Sequence, residues 1–174
     1  MELKQAISLI EHPTILINEQ SSWADLGCGS GLFTIALAHL LIHGSKIFAV
    51  DKNREALYQL PYQNHVTIKK LQVDFIDEEL FLDNLNGILM ANSFHYVKDK
   101  VLFINKVSKY LQPKGFFLIV EYNTDQPNPW IPFPVSYTSL KALFQKMGYY
   151  FMEKIKELPS KYNRSKIYAA VITK

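Results

Sequence analysis

The stretch "WADLGCGSGLFTIALAHLL", residues 23–41, decides the fold of this chain. A short apolar run is followed by three closely spaced glycines and then by an almost wholly apolar segment of helical length, Leu32–Leu41. Glycine loses more backbone freedom on folding than any other residue, so a turn with three of them needs conformations or close approaches that side chains forbid. The pattern predicts a strand, a tight loop and a helix, which is the context of a ligand-binding loop in an α/β domain.

The composition is that of an ordinary globular domain. The chain has 174 residues with a formal net charge of +3, and 48% of them are hydrophobic and 20% charged. We therefore expect a single domain over residues 1–174, in which residues 1–22 form a helical segment and a linker. The single cysteine, Cys28, excludes an intramolecular disulfide and favours a reducing, cytoplasmic setting. We expect no signal peptide and no membrane span, because no apolar run has the required length.

Helical and strand patterns alternate along the chain. Helices are predicted at residues 3–10, 32–41, 54–60, 100–111 and 136–147. Strands are predicted at residues 23–26, 46–50, 66–73, 87–91, 116–122, 149–158 and 166–173, with a turn at "QPKG", residues 112–115. Strands separated by helices imply a parallel sheet covered on both faces. The last two strands have only the polar loop "PSKYNRS" between them, so they must pair as an antiparallel hairpin.

The spacing of the glycines selects the kind of ligand. Gly27, Gly29 and Gly31 give G-x-G-x-G, whereas a loop that binds a pyrophosphate needs Gly or Ala at the position of Leu32. Asp25 precedes the loop, and its carboxylate would repel a diphosphate but suit a ligand with a cationic amino-acid head. The loop therefore argues against a dinucleotide.

Five motifs in order resemble those of the class I S-adenosylmethionine-dependent methyltransferases. They are "DLGCGSG", "FAVDKN", "LQVDF", "GILMANSFHYVKD" and "YLQPKGFFLIVEY", followed by a closing hairpin "MGYYF…IYAAVITK". The fourth motif is similar to that of the small-molecule branch, the ubiquinone/menaquinone-type or type 11 methyltransferases. The resemblance covers nearly the whole chain. It implies a Rossmann-like α/β/α sandwich of three layers with a mostly parallel, seven-stranded sheet of order 3-2-1-4-5-7-6, in which strand 7 is antiparallel.

The resemblance also implies where S-adenosylmethionine, and its product S-adenosylhomocysteine, would bind. Asp51 is expected on the ribose hydroxyls, Asp74 on the adenine amino group and Phe75 against the adenine ring. The full set of expected cofactor-binding residues is Asp25, Gly27, Cys28, Gly29, Gly31, Asp51, Lys52, Asp74, Phe75 and Asn92. Asp51 and Asp74 lie at the carboxyl ends of strands, where open α/β sheets bind ligands, although strand-end carboxylates also serve as solvated caps. Cys28 is expected to be a small residue that fits the turn, and no metal ligands are predicted.

The acceptor side of the site is expected at the end of the fourth strand. His95 and Tyr96 follow that strand, and Glu121 ends the fifth, so these three are the candidate catalytic residues. A histidine in this place equally suits a role in orienting a water or capping a helix. Arg164 and Tyr168 are further residues near this edge, for which structural surface roles are expected.

A proline-rich segment, "NTDQPNPWIPFPVSY" at residues 123–137, is a candidate wall for the acceptor. Only about twenty residues precede the first strand, so the N-terminal cover over the acceptor is expected to be thin. Trp130, Phe133 and Tyr137 offer an apolar or aromatic wall instead. The alternative is a connection that packs its aromatic side chains on the core.

Three functions remain open from the sequence. The first is a methyltransferase that modifies a small-molecule acceptor. The second is an RNA or protein methyltransferase, which is disfavoured because the lysines are scattered and the fourth-strand motif lacks an N-P-P-Y pattern, so a nucleic-acid partner is not expected. The third is a non-catalytic cofactor-binding or partner subunit of the same fold. The identity of the acceptor and the oligomeric state are left open by the sequence.

Overall fold

The central feature of the computed structural model, which describes residues 1–160 and 165–174, is a seven-stranded sheet of order β3-β2-β1-β4-β5-β7-β6. The strands are β1 (Ser22–Leu26), β2 (Lys46–Asp51), β3 (Thr67–Gln72), β4 (Leu85–Ala91), β5 (Leu111–Tyr122), β6 (Phe151–Pro159) and β7 (Lys166–Thr173). The helices are α1 (Leu3–Ile10), α2 (Leu32–Leu40), α3 (Arg54–Gln59), α4 (Lys100–Val107) and α5 (Tyr137–Lys146).

The sheet is parallel except at β7. Strand β1 lies at the centre and pairs in parallel with β2 on one side and β4 on the other. Strand β7 is antiparallel both to β5 and to β6, so the last two strands form a hairpin. The predicted fold, strand order and antiparallel seventh strand are all confirmed.

Helices cover both faces of the sheet. Successive side chains of a strand point to opposite faces, so each face has apolar side chains that the helices bury. Trp23 packs with α1 and α2 on one face, whereas its neighbour Ala24 packs with α4 and α5 on the other. The helix α3 adds a smaller cluster with Ile35 of α2 and Ala49 of β2. Parallel pairing brings the carboxyl ends of β1 to β5 to one edge of the sheet, where the candidate residues lie.

One local prediction was wrong, and one short element was missed. The predicted turn "QPKG" is part of β5, because Leu111 pairs with Leu85 and the pairing then shifts register before it resumes between Gly87 and Phe116. A short 3₁₀ helix, Phe94–Tyr96, follows β4 and was not predicted, because three residues are too few to show a periodic pattern.

Tyr168 and Arg164 were expected near the edge of the site, in surface roles. Tyr168 is not a surface residue: it is fully buried, and its hydroxyl donates a hydrogen bond to the carbonyl of Val135 at 3.0 Å. Arg164 lies outside the described residues. Within residues 1–160 and 165–174, no helix is both long enough and apolar enough to cross a membrane.

Candidate functional site

The glycine loop connects β1 to α2 and is tied to the end of β2. The amides of Gly27 and Cys28 both donate to the carbonyl of Val50, at 2.8 and 3.0 Å. The loop glycines have φ angles of 77°, 55° and 90° at Gly27, Gly29 and Gly31, a region that side chains disfavour. A Cβ atom built on Gly27 would lie 2.5 Å from Cβ of Ser93, so this glycine also allows a close approach to the segment after β4. The predicted need for glycine in this loop therefore has a geometric basis.

Asp51 ends β2 beside the loop, and backbone amides hold its carboxylate. Its Oδ2 accepts a hydrogen bond from the Gly29 amide at 2.8 Å, and its Oδ1 accepts one from the Asn53 amide at 2.8 Å. Each carboxylate oxygen has a second lone pair, so both oxygens can accept a further hydrogen bond from a ligand. The arrangement orients the carboxylate for a partner with two adjacent hydroxyls.

Asp25 lies beneath the loop and is almost fully buried. The hydroxyl of Thr34 in α2 donates to Oδ2 of Asp25 at 2.6 Å, whereas Oδ1 has no hydrogen-bond partner among the described residues. Burial raises the pKa of Asp25 to about 7; the hydrogen bond from Thr34 opposes this rise, and the charge of Asp51 adds to it. A buried carboxyl group with a free oxygen is suited to a cationic partner.

Cys28 has the properties of an inert thiol. It is mostly buried, and burial together with the charges of Asp25 and Asp51 raises its pKa far above the ordinary value. The thiolate is the nucleophilic form of cysteine, so this environment disfavours nucleophilic chemistry.

Asp74 and Phe75 follow β3, the strand that pairs with β2. The Asp74 carboxylate accepts hydrogen bonds from the Ile76 amide at 3.1 Å and from Nζ of Lys52 at 3.1 Å. Burial opposes ionisation of Asp74, but the hydrogen bonds from Ile76, Lys52 and the Asp77 amide, together with the charge of Lys52, outweigh it and lower the pKa of Asp74. Phe75 is buried, with its ring edge-on to Phe103 at 5.8 Å.

Asn92 is a non-glycine residue with a positive φ, 55°, directly after β4. Its amide donates to the Val120 carbonyl at 2.8 Å, while its side-chain Oδ1 has no partner among the described residues. The next residue, Ser93, donates from its hydroxyl to the Leu26 carbonyl at 2.6 Å. Strained residues of this kind concentrate at functional sites, and here the strain is held by bonds to β1 and β5.

These residues line a cleft with two lobes. The glycine-loop lobe has a volume of about 350 Å³ and is bordered by Asp25, the loop and the start of α2. The Asp74 lobe has a volume of about 490 Å³ and is bordered by Lys52, Asp74, Phe75 and Ile76. Gly27, Asp51, Asn92 and Tyr96 line both lobes. The cleft thus has Asp51 at its centre, with a buried acid at one end and an aromatic ring at the other.

A third cavity, which we call the α1 cavity, adjoins the glycine-loop lobe. Its volume is about 440 Å³, and Leu32, Phe33 and Asn92 line both spaces. The apolar residues of its wall come from α1, α2 and the β6–β7 hairpin: Met1, Leu32, Phe33, Leu158, Pro159 and Ile167. The sequence did not predict this cavity. Its wall comes from segments more than a hundred residues apart, and no local pattern marks it.

His95 and Glu121, two of the candidate catalytic residues, form a buried pair. His95 is 2% and Glu121 1% exposed, and Nδ1 of His95 lies 2.9 Å from Oε2 of Glu121. The same carboxylate accepts hydrogen bonds from the backbone amides of His95 and Tyr122. Tyr96 lines both lobes of the cleft, whereas neither member of the pair lines either lobe or the α1 cavity. The geometry thus favours the alternative interpretation of His95, in which it holds structure and does not contact a substrate.

The proline-rich segment packs against the 3₁₀ helix Phe94–Tyr96. The Phe133 amide donates to the His95 carbonyl at 3.0 Å, and Nζ of Lys100 donates to the Phe133 carbonyl at 2.7 Å. Tyr137 packs edge-on to the buried Tyr168, with 5.7 Å between the ring centres. Trp130, at 78% exposure, lies largely in solvent. None of the three aromatic residues lines the cavities described above, so the geometry favours a packing role for Phe133 and Tyr137.

The sheet order and the loop define the class of protein. A seven-stranded sheet of order 3-2-1-4-5-7-6 with an antiparallel seventh strand, and a glycine-rich loop after the central strand, is the architecture of the class I S-adenosylmethionine-dependent methyltransferases. The resemblance of the sequence motifs to this class is confirmed. The chain belongs to the family described as "Methyltransferase domain", whose sequence model matches residues 24–117, more than half of the chain.

Solved structures with the same fold share little sequence with this chain. The YcgJ protein from Bacillus subtilis has a TM-score of 0.70 at 15% identity, over 99% of this chain and 97% of its own. A methyltransferase from Methanosarcina mazei, described as S-adenosylmethionine-dependent, has a TM-score of 0.70 at 18% identity, over 95% and 99%. The plantazolicin methyltransferase BpumL, solved with S-adenosylhomocysteine, has a TM-score of 0.66 at 13% identity, over 97% and 82%. No curated protein matches the chain. The predicted cofactor, S-adenosylmethionine, is confirmed at the level of this class.

Proposed function

We propose that this chain transfers a methyl group from S-adenosylmethionine to a small-molecule acceptor. The observation that carries the proposal is the two-lobed cleft, in which Gly27, Asp51, Asn92 and Tyr96 line both halves. The cofactor also has two unlike halves, an amino acid and an adenine, joined through a ribose. A cleft with a buried acid at one end, an aromatic ring at the other and a doubly accepting carboxylate between them fits such a molecule.

The residues fit each part of the cofactor. Asp25, with a free Oδ1 and a buried position, suits the ammonium group of the amino-acid half. Asp51 accepts from the ribose hydroxyls while the amides of Gly29 and Asn53 keep its carboxylate fixed. Asp74 and Phe75 hold the adenine, and Lys52 orients the Asp74 carboxylate. A Cβ built on Gly29 would meet nothing within 4 Å, so this face of the loop is open to a ligand.

When bound, S-adenosylmethionine supplies a sulfonium methyl group, which is already bonded to a good leaving group. The protein's task is therefore mainly to hold the acceptor in line with the methyl group and to exclude water. Asn92 is suited to this task because it lines both lobes of the cleft and the adjoining α1 cavity. The hydrogen bond from its amide to the Val120 carbonyl of β5 fixes the backbone of Asn92, which lines both lobes and the α1 cavity.

Glu121 and His95 act in this proposal as positioning residues. Their buried pair fixes the 3₁₀ helix Phe94–Tyr96 to the end of β5, and Tyr96 then lies at the mouth of both lobes. The Glu121→Gln variant keeps the shape but loses the carboxylate, so it should lower the turnover rate more than it weakens binding of S-adenosylhomocysteine. A role in stability alone predicts instead a lower free energy of unfolding, with unchanged turnover in the folded fraction.

The cofactor assignment is tested by calorimetry. We expect saturable binding of S-adenosylmethionine and S-adenosylhomocysteine. We expect no binding of NAD, because the loop has Leu32 where a dinucleotide fingerprint needs Gly or Ala. Tight binding of NAD without binding of either S-adenosyl compound would overturn the proposal.

The kind of acceptor is tested with cofactor labelled in its methyl group. Transfer of label to members of a small-molecule panel supports the proposal. Transfer to RNA, with binding that weakens steeply as salt increases, would establish the nucleic-acid alternative. Binding of the cofactor with no transfer to small molecules, RNA or protein would favour the non-catalytic subunit.

A further inference from the structure

We propose that the α1 cavity is the acceptor site and that it takes an uncharged, predominantly apolar organic molecule. The inference rests on the proposed function, because the cavity can be an acceptor site only if the chain transfers a methyl group. The cavity and the chemistry of its lining are features of the structure itself. It assigns the acceptor to a place that the sequence motifs do not mark, away from the aromatic segment at residues 123–137.

The lining of the cavity sets the chemistry of its ligand. Six of the lining residues are apolar, and no lining side chain in the described part of the chain carries a charge. A cavity of about 440 Å³ with mostly apolar walls and a few polar groups is typical of small-molecule sites. An ionised group placed there would lose hydration without meeting a lining side chain of opposite charge among the described residues, so charged acceptors are disfavoured.

The position of the cavity connects it to the cofactor cleft. Leu32, Phe33 and Asn92 line both the α1 cavity and the glycine-loop lobe, so a molecule in one space reaches the edge of the other. Of these three residues, Asn92 also lines the Asp74 lobe. An acceptor in the α1 cavity would therefore present its reacting atom beside Asn92, where the methyl group arrives.

The helix α1 and the β6–β7 hairpin, which pack together, form part of the walls. The helix α1 contacts α2, β6 and β7, and Nζ of Lys156 in β6 donates a hydrogen bond to the Ser8 hydroxyl in α1. Gln5, on the exposed side of α1, borders the cavity opposite Leu158 of β6. This short helix and the hairpin therefore serve as the thin cover that the sequence led us to expect, and they determine the width of the site.

The test uses two probes that share one ring system. Calorimetry of the protein saturated with S-adenosylhomocysteine would compare 1-naphthol, which is neutral, with 1-naphthyl phosphate, which is charged. We expect 1-naphthol to bind and the phosphate to bind weaker by about tenfold or more, because its charge must be desolvated. Equal or tighter binding of the phosphate would overturn the inference.

Matched variants place the probe in the cavity. Leu158→Glu introduces a charge into the wall and should weaken 1-naphthol binding by about tenfold or more. Phe151→Glu makes the same kind of change on β6 outside the cavity, at an exposed residue, and should change the binding by less than about twofold. Neither residue lines the cofactor cleft, so both variants should keep the affinity for S-adenosylhomocysteine. If Leu158→Glu does not fold, Gln5→Trp narrows the same cavity from the exposed side of α1 and should also weaken the probe.

The outcomes separate this inference from the proposed function. Binding of S-adenosylhomocysteine together with 1-naphthol binding that Leu158→Glu and Gln5→Trp leave unchanged would overturn the acceptor site alone. Absence of S-adenosylhomocysteine binding would count against the proposed function. In that case, titration of the unsaturated protein with 1-naphthol would still decide whether the α1 cavity binds apolar molecules.

Discussion

At the scale of single residues, Asp51 connects the two halves of the cleft. Its carboxylate is held by two backbone amides and lines both lobes. We predict that Asp51→Ala weakens S-adenosylhomocysteine binding by about tenfold or more, because hydrogen bonds to a charged group contribute roughly 1.5–3 kcal/mol each. Calorimetry measures the affinity, and circular dichroism checks that the variant is folded.

The control for Asp51→Ala is Asp83→Ala, which removes an exposed carboxylate away from the cleft. It should leave the affinity within about twofold of the native value, since isolated surface changes have small effects. Native affinity in a folded Asp51→Ala protein would mean that Asp51 is only a strand-end cap.

Asp25 makes a pH-dependent contribution to stability. Burial raises its pKa to about 7 from the ordinary value of 3.8, so between these two values the folded protein holds a proton that the unfolded chain has lost. Stability from this group is fully present below the unfolded pKa and is lost as the pH rises through the folded pKa. We predict that the free energy of unfolding falls by roughly a few kcal/mol between pH 5 and pH 8 on account of Asp25. Urea denaturation at several pH values measures it.

The Asp25→Asn variant isolates this contribution from the other titrating groups. Asparagine does not ionise, so its profile should lack the fall that Asp25 causes between pH 5 and pH 8. If the native protein and the variant lose stability in parallel over this range, Asp25 is not the group responsible.

The residues of the loop and of the strand ends were predictable, but their partners were not. The spacing of Gly27, Gly29 and Gly31 and the acids after apolar runs are local signals in the sequence. The hydrogen bond between Thr34 and Asp25 and the pairing of His95 with Glu121 join residues whose contact depends on how the elements pack. No pattern within one element indicates such a pair. His95 was therefore predicted to line the acceptor site, whereas in the structure it is buried against Glu121.

At the scale of elements, strands and helices with strong periodic patterns were predicted within a few residues. Strand β7 has the predicted bounds, because both of its faces are buried and its sequence is continuously apolar. The "QPKG" turn was predicted from local turn chemistry, which the pairing of Leu111 with Leu85 overrides. Tertiary pairing thus decided the start of β5, and the local sequence decided its end.

Gly87 shows how closely β4 and β1 pack. A Cβ atom on Gly87 would lie 2.3 Å from Cζ3 of Trp23, whose ring is buried and edge-on to Phe116. We predict that Gly87→Ala lowers the free energy of unfolding by roughly 1–3 kcal/mol, the usual cost of overpacking a core. Urea denaturation followed by fluorescence measures the loss, and the signal comes from the buried Trp23 and the exposed Trp130.

Gly148→Ala is an informative comparison for Gly87→Ala. A Cβ on Gly148 meets nothing within 4 Å, but its φ of 82° disfavours a side chain. Its cost is therefore one of backbone strain alone, and the surroundings of Trp23 should not change. If Gly87→Ala is as stable as the native protein, the sheet must yield enough to move the Trp23 ring.

At the scale of the whole molecule, the topology was predictable because it follows from a few strong rules. Alternating strands and helices require a parallel sheet, and the helix-free final connection requires an antiparallel hairpin. The α1 cavity was not predictable in the same way. Its wall combines α1, the start of α2, the ends of β4 and β5 and the β6–β7 hairpin, and its volume depends on the gap that packing leaves between them.

Cofactor binding should stabilise the molecule as a whole, because the cleft joins segments from β1, β2, the segment after β3 and the segment after β4. A ligand that binds only the folded state stabilises it by about 2.7 kcal/mol at a free concentration of 100 times its dissociation constant. We predict that S-adenosylhomocysteine raises the melting temperature and slows hydrogen exchange most at residues 27–31, 51–53 and 92–96. Exchange in β6, which does not line the cleft, should slow only as far as global opening contributes.

NAD at the same concentration is the control and should change neither quantity. Slowed exchange confined to β6 and α1, with none at the loop, would place the ligand in the α1 cavity and contradict the assignment of the cleft.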